Sequence, residues 1–169
     1  MSMTTNSTPT VWSIHAGQTG QAQSLFLEHN YIALGWPATG HLGVLPNDQD
    51  AFKAKVLQTH PGDTSGVAQF AGQLRHFVYD VRIGDLVVYR PEPLKNAEPL
   101  IFLGRIAGPY LYNPYIHDHY PNLRRVEWLR SVPVAQFSKG ALNEQRSAMT
   151  LSKIDTHAQE YLAALDGVF

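Results

Sequence analysis

Eight histidines and no cysteine define the chemistry open to this chain of 169 residues. Without a thiol there is no disulfide, no Cys-based zinc site and no sulfur nucleophile, a composition that fits a reducing compartment. Histidine is densest at His117-Asp118-His119. An H-x-H pair in a loop between prolines falls short of the three or four ligands a zinc site needs, so this segment reads as a surface loop. A metal-dependent nuclease wants a strand acid followed by Glu-x-Lys. The nearest approach is Asp85 followed by Glu92-Pro93-Leu94-Lys95, but its spacing is wrong by one and it falls in a loop. The sequence holds no G-x-S-x-G, Walker loop, G-x-G-x-x-G after a strand, or H-E-x-x-H. The expectation is a protein that binds rather than catalyses, with no metal and no cofactor.

What the chain offers for binding is aromatic and basic. Aromatic residues make up 11% of it, and several stand at strand ends rather than at core periods. Trp36 lies between Gly35 and Pro37, where a strand must stop, and Tyr110 and Tyr112 follow Gly108. Rings at loop mouths beside glycines suit a pocket for a planar ligand. Trp12 and Trp128 sit inside strand patterns and read as core. Residues 105–153 carry seven Lys/Arg against three Asp/Glu in a chain of net charge −1. Arg105, Arg124, Arg125 and Arg130 fall in that stretch among the tyrosines, and bases flanked by phosphates are met by such groups. The alternative is an ordinary solvated surface.

These residues must be positioned by a mixed α/β scaffold. Val11–His15 alternates as a half-buried strand, Tyr31–Trp36 reads as a second, and Leu86–Tyr89 with Leu100–Ala107 as neighbouring antiparallel strands. Leu123–Arg130 alternates cleanly, with Arg124, Val126, Trp128 and Arg130 at one parity, and Thr150–Ile154 makes a last strand. A helix is expected to about His29, and another capped by Asn47 or Asp48. A third, capped by Thr64 or Ser65 and running to about 79, packs Val67, Phe70, Leu74 and Phe77 inward. Ser138 caps a short helix, and Thr156-x-x-Gln159 forms a capping box for the last, ended by Gly167. The order without βαβ regularity indicates a twisted or barrel-like, mostly antiparallel sheet with helices around it. Residues 1–10 read as disordered and 11–169 as one domain. The polar start lacks the features of a secretion leader and no apolar run is long enough to cross a membrane, so a cytoplasmic location is expected.

Five short motifs occur in order. They are Trp12-Ser13-Ile14 with Ala16-Gly17, Ile32-Ala33-Leu34-Gly35-Trp36, and Phe77 with Gly84-Asp85-Leu86-Val87-Val88. Then come Leu103-Gly104-Arg105-Ile106-x-Gly108-x-Tyr110-x-Tyr112 and Arg125-Val126-Glu127-Trp128-Leu129. Over residues 11–165 this succession resembles the amino-terminal domains of Mrr- and McrB-type modification-dependent restriction enzymes, PUA-like domains akin to EVE, ASCH and YTH domains. The resemblance implies an α+β fold, a small, mostly antiparallel β-barrel with flanking helices. It also implies a reader of a modified base flipped from DNA into an aromatic pocket, in restriction or defence. Its pocket would be walled by His15, Gly17, Gln18 and Trp36; the residue pattern itself adds Tyr110 or Tyr112 to that rim and gives phosphates to Arg105, Arg124, Arg125 and Arg130. The pattern stops where such an enzyme continues into a nuclease or motor domain, so a reader acting alone or with a separately encoded partner of that kind is expected. DNA is preferred to RNA as partner. An RNA-binding PUA-like module remains the alternative, a small hydrolase or nuclease the third reading, and Trp36 as a plug of the barrel end the competing role for that residue.

Overall fold

The computed structural model describes residues 8–62 and 65–167. Most of the start expected to be disordered, residues 1–7, and the candidate cap Thr64 lie outside the described residues. Thr10 is already tied down: its N–H donates to Asp85 Oδ1 (3.1 Å) and its carbonyl accepts from Leu86 (3.0 Å).

Among the described residues seven strands form one sheet: β1 Val11–Ile14, β2 Tyr31–Leu34, β3 Leu86–Tyr89, β4 Leu100–Ile106, β5 Leu111–Tyr112, β6 Asn122–Pro133 and β7 Leu151–Ile154. Their order is β2-β6-β4-β3-β1-β7, with β5 beside β6. Every pairing among the described residues is antiparallel except β1 with β3. β6 joins β2 and β5 to the rest of the sheet, pairing them through residues 122–125 and β4 through residues 126–133. Its register breaks at Leu103/Gly104, where Leu129 is the extra residue of a bulge. A Cβ on Gly104 would meet Trp128 and Val126, so glycine lets the bulged strand approach. The result is an α+β fold around a curled, open half-barrel.

Helices α1 Gln23–Leu27, α2 Gln49–Thr59 and α3 Val67–Arg75 cover one face, and α4 Lys139–Gln145 and α5 Ala158–Leu165 the other. This explains a departure in β1, expected to be half-exposed. All four of its residues are buried, because Trp12 and Ile14 pack under α1 to α3 while Val11 packs under α4 and α5. Ser13 survives there because its hydroxyl donates to the Gln145 carbonyl (2.8 Å). Asp85 is likewise buried and spent on structure, accepting from Trp12 Nε1 (3.0 Å) and the Arg82 N–H (2.9 Å).

The helix ends follow local chemistry in part. Asp48 caps α2 and Ser138 caps α4 as read from sequence. The expected box at Thr156 does not form. Glu144, from α4, instead accepts the N–H groups of Asp155, Thr156 and His157 ahead of α5. The first helix stops at Leu27, short of His29. Helix α3 starts after Gly66 and leads into a π-helical turn, His76–Asp80. No helix of the described residues is long and apolar enough to cross a membrane.

Candidate functional site

Chain exits from β1 and β2 meet at one edge of the half-barrel. After Leu34 the backbone turns so sharply that Trp36 takes the left-handed conformation (φ 64°, ψ 53°). That costs an L-residue about 1–2 kcal/mol and is exceptional for a bulky one. The turn is held in place from both sides. The Trp36 carbonyl accepts from the Thr39 hydroxyl (2.7 Å) and N–H (3.1 Å). The Gly35 carbonyl accepts from the Asn122 amide (2.7 Å), whose oxygen accepts from the Tyr110 hydroxyl (2.6 Å). Tyr110 in turn accepts the Leu42 N–H (3.1 Å). Burial pushes the Tyr110 phenol up to about 12, with Tyr112 adding to the shift.

The half-buried Trp36 ring packs on Phe70 (centroids 4.5 Å) and edge-on to His60 (4.9 Å). Beside it opens a cleft of about 300 Å³ whose walls include Trp36, Phe70 and Tyr120, with Gly17, Gln18 and Gln73 bringing polar groups. Gly17 (φ 81°) runs so close to Tyr120 that a Cβ there would collide with the Tyr120 hydroxyl and with Gln21. The Gln21 side chain pins this loop by accepting the Thr19 N–H (2.9 Å). Gln73 is fixed, its oxygen accepting the Leu151 N–H (3.1 Å), whereas Gln18 is exposed.

Of the expected pocket residues, Gly17, Gln18 and Trp36 are therefore brought together. His15 lines a neighbouring cleft, its Nε2 against the Ser147 carbonyl (2.8 Å). Tyr110 and Tyr112 do not wall the Trp36 cleft; both pack on His41, and Tyr110 positions the β2 exit. Phe70, Tyr120, Gln73 and Thr150 were missed. Phe70 belongs to the apolar set of α3 expected to pack inward, but it is only half-buried and packs on Trp36 instead.

Residues 12–155 match the model of a family described as a domain of unknown function, DUF8426. The chain belongs to that family. No curated protein and no solved structure matches it. The span matched by the DUF8426 model takes in every residue of the cleft named above.

The four arginines of this DUF8426 domain do not share one surface role. Arg124 is buried, which corrects its assignment to phosphate. Its Nη1 donates to the Phe77 carbonyl (3.1 Å) and its Nε to the Gly108 carbonyl (3.3 Å). Phe77 lies in the π-helical turn at the end of α3, where carbonyls lose their helical partners, and the cation supplies one. Burial pulls the Arg124 guanidinium down to about 10, partly opposed by Asp85. Arg125 is exposed, 5.5 Å above the Tyr31 ring. Arg105 lines a groove with Asp80, Arg82 and Asp85, and Arg130 lies beside Gly167. None of the four lines the Trp36 cleft. Among the described residues no three His, Cys, Asp or Glu side chains are placed to hold a metal, and His117 and His119 are ring neighbours in one turn.

Proposed function

We propose that this protein is a PUA-like reader of a modified base, most simply a base flipped out of DNA, and that it binds without cleaving. The observation that carries the reading is the Trp36 ring, held in a left-handed backbone turn and packed on Phe70, in the wall of a small cleft that Tyr120 also lines. Backbone strain at a cleft is a reason to look for function there. The volume lies at the low end of ligand sites, which span roughly 300–1,000 Å³, and suits a single ring system.

Energetics favour a weak but discriminating binder. Extruding a base costs a few kcal/mol. Stacking returns about 1–3 kcal/mol, and an apolar niche for a methyl about 0.8 kcal/mol more. Phosphate contacts must supply the remaining affinity. In this reading the protein works in the cytoplasm in restriction or defence, and a nuclease or motor protein is the partner that acts on the base once read.

The test is a binding panel of short oligonucleotides, single- and double-stranded, DNA and RNA. Each is made with plain, methylated or hydroxymethylated cytosine and with plain or methylated adenine. One modified form should bind about fourfold or more tighter than its plain counterpart, the factor a buried methyl provides. Equal affinity for every plain and modified pair overturns the reading; a preference confined to RNA moves it to an RNA target.

A further inference from the structure

The loop leaving β1 has a second side. There a cleft of about 300 Å³ is lined by His15, Gly17, Gln18, Arg90, Glu92 and Thr150 among others. Gly17, Gln18 and Thr150 also line the Trp36 cleft, so the two spaces share a wall. Their relation follows from the parallel pairing of β1 with β3. Ile14 stands opposite Tyr89, which brings the next residues, His15 and Arg90, out at the same end of the sheet.

Arg90 is the anomaly. Among the described residues its Nη1, out of contact with water, has no hydrogen-bond partner, and no carboxylate lies within ion-pair distance of Arg90. A buried donor left unmade costs about 1–3 kcal/mol, and more when charged. Burial and the nearby like charge of Arg146 both weaken its hold on its proton, against smaller opposing effects of Tyr161 and Glu92. Folding has thus placed at the cleft a guanidinium with one donor unpartnered, its charge opposed there, among the described residues, only by the exposed Glu92. An anion carrying several acceptor oxygens would supply the missing partner, and Arg suits phosphate in particular. Glu92 is exposed at the same cleft and opposes excess negative charge. With one guanidinium and one carboxylate in its lining, the site fits a singly charged phosphodiester better than a doubly charged ion.

We propose that the Arg90 cleft is a phosphate site that takes a backbone phosphodiester of the nucleotide whose base stands in the Trp36 cleft. The source of the phosphate rests on the base-reading proposal; the site itself does not. The probes are inorganic phosphate and single-stranded DNA. In thermal melts, phosphate should raise the melting temperature of the parent above potassium chloride at matched ionic strength. Trp36→Gly should keep that rise and Arg90→Met should lose it. In phosphate-free buffer Arg90→Met should melt no lower than the parent, because an unpartnered charge has been removed; Arg90→Lys should keep part of the phosphate effect. Arg90→Met should also weaken single-stranded DNA equally for modified and plain bases, and lower the salt slope by about one. No phosphate-specific rise in the parent, or a full rise in folded Arg90→Met, overturns the site, as does a large loss of stability in Arg90→Met. A phosphate effect that behaves as expected while no oligonucleotide discriminates keeps the site and removes the base reader.

Discussion

A guanidinium kept out of water has to be matched by acceptors, and Arg124 finds two in the carbonyls of Phe77 and Gly108. Replacing it by Ala leaves buried acceptors without donors, at about 1–3 kcal/mol each. Arg124→Ala should therefore lose stability by several kcal/mol in chemical denaturation, while Arg125→Ala should leave stability nearly unchanged. A stable Arg124→Ala protein would show that the carbonyls are satisfied otherwise. The alternation of β6 did not reveal the burial of Arg124, because Arg130 at the same parity is exposed and Leu123 at the other is buried. The acceptors of Arg124 were not legible either, because Phe77 lies 47 residues away. Tyr110 and Tyr112 were placed near the pocket from their position after a glycine, a signal that marks a loop mouth without saying which loop it faces.

Among the elements, the loop between β1 and α1 governs the cleft. Gly17 has a positive φ and touches the Tyr120 hydroxyl and Gln21, so an added methyl meets both strain and collision. Gly17→Ala should destabilise by about 1 kcal/mol from the backbone alone, and should weaken binding by pushing Tyr120 from the wall. Melting curves and the oligonucleotide panel check the two effects; a Gly17→Ala protein that matches the parent in both would contradict this placement of the loop. Strands rich in Val, Ile and Leu were readable to within about two residues for β1 to β4, since apolar runs bounded by Gly and Pro carry that signal locally. Two-residue β5 carries too little pattern to be seen, and the Glu144 cap of α5 comes from another helix, beyond any local motif.

At the scale of the whole molecule, the parallel β1–β3 pairing was hidden, since β2 and three helices separate those strands in sequence. It is also what places His15 beside Arg90. Tightness of the fold shows in its tyrosines. Burial raises Tyr89, Tyr110 and Tyr161 above their ordinary value of 10.0, so the unfolded chain releases these protons first. Their stabilisation is complete below pH 10 and is lost as pH climbs through the raised values. Arg124, pushed down to about 10, works in the opposite sense, since the unfolded chain holds its proton longer. Arg90 is lowered as well and Tyr120 raised, so four phenols stand against two guanidiniums; the melting temperature should fall above pH 10 and fall less in Tyr89→Phe, and identical profiles for the two proteins would contradict this. The claim that the molecule exists to stack a base on Trp36 is tested most directly by Trp36→Gly, which accepts the left-handed backbone and removes only the ring. Melting and binding are measured on the same protein, with the modified oligonucleotide the parent prefers. The variant should fold and its affinity should fall roughly five- to 150-fold, the worth of one stacked base. A loss of about 3–5 kcal/mol in stability with unchanged affinity would make Trp36 a plug in the half-barrel and contradict the account.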